Sequence, residues 1–169
     1  MNKNIIFALF GLLAFSSLWS QTPEIMKINV QREAVTKDPL ALKMEFQPDA
    51  RFTNGFFLEL PEGLKTVVKS VSRNGEGMWL LNNDQPVEQK NVIGWYNSDD
   101  GIMFHYNLDD LTSPLEIELV PDTKKLKRFD TFEVKVNPVV READKFVAQT
   151  EAGTSTTVTV KQNIQRNEQ

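Results

Sequence analysis

The chain has 169 residues, a formal net charge of −4 and no cysteine, and these properties exclude several classes of protein. A mildly acidic chain without a basic run lacks the electrostatic footprint of a DNA- or RNA-binding protein. Without disulfides, stability must come from a hydrophobic core, and a domain of about 150 residues is long enough to bury one.

The first twenty residues predict a secretory signal peptide. They carry one charge, at Lys3, followed by an apolar run from Ile5 to Leu18 and the small residue Ser20. A membrane anchor is the alternative, but the run is shorter than the roughly 20 apolar residues that span a bilayer. We therefore expect cleavage after residue 20, no membrane insertion afterwards, and export to the periplasm or cell surface of a Gram-negative bacterium.

Residues 21–161 predict a single domain of short strands, followed by a polar tail at residues 162–169. Large apolar residues recur at every second position from Met26 to Val30, from Leu40 to Phe46 and from Phe56 to Leu60. This period of two is typical of half-buried strands. Next, the segments 67–72 and 78–81 flank the turn sequence Asn74-Gly75-Glu76-Gly77, which predicts a hairpin.

The clearest signals lie between Asn91 and Leu119. The β-branched and aromatic run Val92–Tyr96, a turn that ends in Asp100-Gly101, and a second run from Ile102 predict a β-hairpin. Beyond Pro114, leucine and isoleucine alternate strictly with glutamate from Leu115 to Leu119, so one face is expected in the core and the other in water.

Residues 138–153 allow two interpretations. Asn137, Pro138 and Gly153 suit the start and end of a helix, whereas the segments around Phe146 and Thr156–Val160 suit a closing hairpin, which we favour. Nine or ten short strands without a convincing long helix predict an all-β fold, an antiparallel β-sandwich of jelly-roll or immunoglobulin-like type.

Four segments resemble those of cohesin-like modules, the jelly-roll sandwiches of exported bacterial proteins that are related to carbohydrate-binding modules. They are Phe56–Leu64, Ile93–Asn97, Phe132–Val140 and Thr157–Val160, so the resemblance spans roughly residues 26–160. It implies a β-sandwich that binds a protein partner or serves as a structural unit beside other domains.

Candidates for chemistry are few. His105 is the single histidine, so a histidine-based metal cluster cannot form, and no nucleophile motif accompanies it. We expect a half-buried or surface histidine and no enzyme. Asp99-Asp100 and Asp109-Asp110 could bind Ca²⁺, but they lack the spacing of an EF-hand and suit ordinary turns; no cofactor is therefore predicted.

Aromatic residues are the candidates for binding, namely Phe57, Trp79, Trp95 and Tyr96. Phe57 is out of phase with Phe56 and Leu58, so it is either covered by a loop, such as Asn82–Pro86, or exposed as a patch. Trp95 faces either the core or solvent, depending on the phase of its strand.

We therefore predict an exported, non-catalytic β-sandwich that binds a protein partner in the cell envelope. A glycan is a possible ligand, because exposed aromatics stack on sugar rings. One alternative is a carbohydrate-binding module or a small glycoside hydrolase, which needs two carboxylates about 5–10 Å apart across a cleft. Another is an accessory protein for secretion or assembly in the envelope.

Overall fold

A computed structural model describes residues 26–32, 40–108 and 111–160 of the chain. The predicted signal peptide, the predicted tail and Asp109-Asp110 lie outside these residues. Within them the fold is all-β and sandwich-like, as predicted: two sheets enclose the main hydrophobic core.

Twelve strands follow one another along the described residues: β1 (Met26–Arg32), β2 (Leu40–Phe46), β3 (Gly55–Glu59), β4 (Thr66–Arg73), β5 (Glu76–Gly77), β6 (Trp79–Asn82), β7 (Val92–Ser98), β8 (Gly101–Tyr106), β9 (Leu115–Pro121), β10 (Thr131–Glu142), β11 (Lys145–Ala148) and β12 (Thr154–Thr159). One short helix, α1 (Thr123–Leu126), begins at Asp122, whose carboxylate accepts hydrogen bonds from the amides of Lys124 and Lys125. The number of strands exceeds the nine or ten that the sequence predicts. The two-residue strand β5 in particular carries too little periodicity to be recognised.

The strands form two sheets. The first has the order β1-β2-β9-β4-β5, and the second has the order β11-β10-β3-β8-β7-β6, with β12 also paired to β10. All pairs are antiparallel except β6 with β7, which is parallel. Strand β6 therefore forms one edge of the second sheet.

The main core lies between the sheets and follows the predicted alternation. In β9, Leu115, Ile117 and Leu119 are buried, whereas Glu116 is exposed. In the second sheet, Ile102 and Phe104 face this core from β8, and the rings of Phe56 and Phe104 stack with centroids 4.5 Å apart. Burial of these apolar side chains stabilises the fold, since the chain has no cysteine and therefore no disulfide.

The predicted hairpin at residues 92–106 is confirmed. Strands β7 and β8 pair antiparallel from Ile93 opposite Tyr106 to Ser98 opposite Gly101. The helical alternative for residues 138–153 is excluded, because β10 runs through Pro138 to Glu142 and then turns back. The returning chain pairs with β10 twice, first as β11 and then as β12. A 3-10 turn, Thr150–Ala152, separates these two strands.

The predicted hairpin between segments 67–72 and 78–81 is wrong in its second strand. Asn74 and Gly75 do form the turn, with φ values of 55° and 78°, but only Glu76 and Gly77 pair back on β4. The chain then crosses to the second sheet, where β6 lies beside β7. Pairing with β7 lets Leu80 pack against the main core while Trp79 points away from it.

Candidate functional site

The four aromatic candidates occupy different environments. Trp79 is 78% exposed on the edge strand β6, and Tyr96 on β7 is half-buried. Trp95 is buried in the main core, because Ile93 and Trp95 form the inward face of β7. Phe57 is also buried, at 9% exposure, but on the opposite side of the sheet from the main core. The structure thus brings only Trp79 and Tyr96 to one accessible face.

The buried side chain of Phe57 belongs to a second, smaller apolar cluster on the outer face of the sheet. Phe57, Met103 and Val139 are buried there, and three partly buried residues pack around them: Tyr96, Phe146 and Ala148. The covering segment is therefore the β10–β11 hairpin. The Asn82–Pro86 stretch contributes no member of this cluster.

His105 lies beside this cluster and is fully buried, so the expectation of a half-buried or surface histidine is wrong. Its cross-strand neighbours are both glycines, Gly55 on β3 and Gly94 on β7. The space above Gly94 is filled by the imidazole ring. On its other side the ring stacks on Phe146, with centroids 4.5 Å apart and planes inclined by 15°.

The electrostatic surroundings of His105 favour the neutral ring. Burial lowers its pKa below the ordinary value, while the carbonyl of Asn83 and the charge of Asp84 act in the opposite direction. Nε2 lies 2.9 Å from the carbonyl oxygen of Asn83, which can only accept, so the proton of the neutral ring is on Nε2. Nδ1 is then an acceptor, and it has no hydrogen-bond partner among the described residues.

A pocket of about 500 Å³ opens next to this histidine. Its lining combines two half-buried aromatic rings with polar and charged side chains from two separate segments: Asn83, Asp84, Tyr96, Asp144, Lys145 and Phe146. Asp84 influences the buried groups here, since it adds to the effect of burial in raising the pKa of Tyr96. Both aspartates and Lys145 are exposed, so they can reach a ligand from solvent.

Trp79, Leu81 and this pocket lie along one face, which we call the β6 face. Trp79 pairs with Val92, and Leu81 pairs with Gly94, so both side chains lie on the outer side of the sheet. Leu81 is 44% exposed. Asn83 follows β6 in a tight turn, where its amide donates to the carbonyl of Leu81 at 3.1 Å, and it lines the pocket beside Tyr96.

No family model, curated protein or solved structure matches this chain. Its function must therefore be inferred from its own residues. Among the helices of the described residues, none is long and apolar enough to cross a membrane. In the same ranges, no three His, Asp or Glu side chains are grouped so that they could hold a metal ion.

A separate groove of about 540 Å³ is rich in acidic side chains. Four carboxylates line it, together with Lys135: Glu59, Glu62, Asp100 and Glu133. Glu59 Oε2 accepts a hydrogen bond from Asn137 Nδ2 at 3.3 Å, and Lys135 Nζ donates to the carbonyl of Thr150 at 2.5 Å. A carboxylate pair across a cleft can be sought here, although Glu45, Glu116 and Glu118 line another groove, on the first sheet.

Sequence reasoning missed several residues of the β6 face. Leu81 could have been found, because a period of two starting at Trp79 places both on one side of the strand. Asp84, Asp144 and Phe146 gave no such signal, since they meet only after the β10–β11 hairpin folds onto the outer face of the sheet.

Proposed function

We propose that this chain is an exported, non-catalytic β-sandwich module that binds a protein partner through the β6 face. The single observation that carries the proposal is the 78% exposure of Trp79 on an edge strand, next to the exposed Leu81. A tryptophan exposed to water loses the free energy that burial would provide, and interface cores are enriched in aromatics. Folding leaves Trp79 exposed, whereas binding of a partner would remove its side chain from water.

A protein suits this face better than a glycan does. Sugar binding favours several aromatic rings that act as a platform, but Trp95 and Phe57 are buried and Tyr96 is half-buried. Trp79 therefore has an aliphatic neighbour, Leu81, in place of a second accessible ring. An aromatic residue beside an aliphatic one is the composition expected at the centre of a protein–protein interface.

The finer assignment, a cohesin-like jelly roll that acts in the periplasm or at the cell surface of a Gram-negative bacterium, is part of the same proposal. Two facing sheets with antiparallel pairing support it, as does the apolar amino-terminal run of the sequence. The parallel β6–β7 pair is a departure from purely antiparallel pairing.

Crosslinking in the native cell, followed by mass spectrometry, tests the proposal. Three forms of the protein are compared: wild type, the double variant Trp79→Ala/Leu81→Ser, and the control Val67→Ser. Val67 is matched because it is an exposed apolar residue, at 57%, on the first sheet. We expect the double variant to lose the crosslinked partner about tenfold or more and the control to retain it, with all three melting at similar temperatures.

Equal capture by the double variant would rule out the β6 face as the binding surface. Recovery of components of a secretion or assembly machine would identify the partner of an envelope accessory protein, which is the more specific form of this proposal. If Val67→Ser loses the crosslinked partner as much as the double variant does, the contact is a non-specific apolar one.

A small glycoside hydrolase is the second candidate, and the acid-lined groove favours it. Retaining and inverting enzymes both use two carboxylates that face each other across the scissile bond. Glu59 and Glu133 approach this groove from different strands, β3 and β10. If the protein releases reducing sugar from a panel of polysaccharides, and if Glu59→Gln or Glu133→Gln abolishes the release, the enzymatic assignment replaces the binding module.

A further inference from the structure

We propose that the pocket at the end of the β6 face binds a cationic side chain, lysine or arginine, of the protein partner. This inference rests on the proposed function and adds the chemistry of the partner to it. The pocket has a volume of about 500 Å³, which exceeds the volume of a guanidinium or ammonium group with its aliphatic stem.

The charge of the lining selects a cation. Asp84 comes from the segment between β6 and β7, and Asp144 comes from the β10–β11 turn, so two separate segments bring carboxylates to one opening. Lys145 also lines the pocket, and the three charged residues together leave a net charge of −1. Neither aspartate forms an ion pair with Lys145 among the described residues. Asp84 Oδ1 accepts a hydrogen bond from Gln85 Nε2 at 3.0 Å, so Asp84 Oδ2 and the exposed Asp144 carboxylate are the oxygens available to an incoming donor.

The uncharged polar groups point to the same class of ligand. Asn83 Oδ1 is buried and has no hydrogen-bond partner among the described residues. His105 lies behind this lining, where it contacts Asn83, Tyr96 and Phe146, and its buried Nδ1 also has no hydrogen-bond partner among the described residues. A buried acceptor without a donor is costly. Ammonium and guanidinium groups carry several N–H donors and no acceptor, so they match the two carboxylates and the unpartnered amide oxygen of Asn83.

The aromatic walls suit the stem and the charge of such a side chain. Tyr96 and Phe146 are half-buried, and each keeps part of its surface open to the pocket. A cation is attracted to the face of an aromatic ring, and the methylene stem of lysine or arginine packs against apolar surface. The walls therefore favour these residues over a small inorganic cation, which would need a tighter set of oxygen ligands.

The position of the pocket links it to the apolar part of the β6 face. After β6 the chain turns tightly, and the amide of Asn83 donates to the carbonyl of Leu81 at 3.1 Å, so the pocket begins next to the exposed apolar side chains. The partner is therefore expected to present a basic residue close to the apolar residues that cover Trp79 and Leu81.

Amide NMR with small probes tests the cation site separately from the partner. The probes are N-acetyl-arginine amide and N-acetyl-lysine amide, and N-acetyl-citrulline amide is the neutral isostere of the first. We expect the two cationic probes, but not citrulline, to shift the amide signals of residues 83–84 and 144–146. Asp84→Asn/Asp144→Asn should weaken binding about tenfold, whereas Lys145→Gln should strengthen it about twofold.

The matched control is Asp99→Asn/Glu151→Gln, which removes the same total charge from exposed positions outside the pocket. The cation site would be overturned if the citrulline probe shifted the amide signals as much as the arginine probe does. It would also be overturned if the control variant lost binding and Asp84→Asn/Asp144→Asn did not. Absence of any shift in the pocket with either cationic probe overturns it too, while a partner lost in Trp79→Ala/Leu81→Ser would still support the proposed function. Probe binding together with unchanged partner capture by that double variant would reject the proposed function and leave the cation site standing.

Discussion

The imidazole of His105 fills the space that Gly94 leaves open on the neighbouring strand. Gly55 flanks the same histidine from the other side, and Phe146 closes over the ring. The sheet thus accommodates a large ring on its outer face because both cross-strand neighbours lack side chains. Any side chain at position 94 would overlap the imidazole.

Replacing Gly94 with alanine should therefore destabilise the protein. We expect a loss of about 1–3 kcal/mol, because overpacking forces neighbouring side chains from their preferred positions. Urea denaturation gives the free energy of unfolding for Gly94→Ala, His105→Ala and the double variant. The double variant should lose clearly less than the sum of the single variants, since removal of the ring frees the space. Additive losses would contradict direct contact.

The stability of the protein should decrease on mild acidification through His105. Its folded pKa lies below the ordinary value of 6.5, so the unfolded chain binds the proton at a higher pH than the folded chain does. The free energy of unfolding must then fall as the pH decreases through this value. The carboxylate of Asp84 and the phenol of Tyr96 are the titratable groups near the ring.

Urea midpoints between about pH 7.5 and about pH 5.5 measure this effect, because most carboxylates titrate at lower pH. His105→Gln removes the titrating group and should give a flatter dependence on pH, whatever its absolute stability. Parallel curves for the two proteins would show that His105 does not contribute to the acid sensitivity.

Phe57 and Trp79 should respond oppositely to truncation. Phe57→Ala is expected to cost about 3–5 kcal/mol, since it leaves a cavity beside Met103 and Val139. Trp79→Ala should change stability by only about 0.5 kcal/mol, because the side chain is 78% exposed. Thermal or urea denaturation of both variants checks the prediction. A small loss in Phe57→Ala would mean that the β10–β11 hairpin does not cover the residue.

The buried hydroxyl of Tyr106 should stabilise the fold through one hydrogen bond. It donates to the carbonyl oxygen of Phe52 at 2.8 Å, and burial raises the pKa of Tyr106 above its ordinary value. Tyr106→Phe leaves that carbonyl without this donor and should cost about 1–2 kcal/mol in urea denaturation. Tyr96→Phe, at a half-buried phenol, is the control, and an equal loss there would refute the interpretation.

Local sequence patterns were sufficient for much of the fold. The alternation of Leu115, Ile117 and Leu119 with polar residues and the Asp100-Gly101 turn predict β9 and the β7–β8 hairpin because both depend on neighbours in sequence. The crossing of β6 to the second sheet depends on pairing with β7, which no local pattern records. The candidate site was harder still, because Trp79 and Tyr96 were identified by residue type, whereas Asp84, Asp144 and Phe146 meet only through the tertiary fold.

The central position of β3 has a consequence for how the chain folds. Its two neighbours in the sheet are β8 and β10, neither of which is adjacent to it in sequence. Pairing of β3 with β8 and with β10 closes a long loop in each case, and the chain loses conformational entropy before the pairing stabilises it. Folding in milliseconds to seconds is therefore expected. Until β10 has been synthesised, β3 lacks one side of its hydrogen bonding. The second sheet can therefore be completed only after most of the chain has been made.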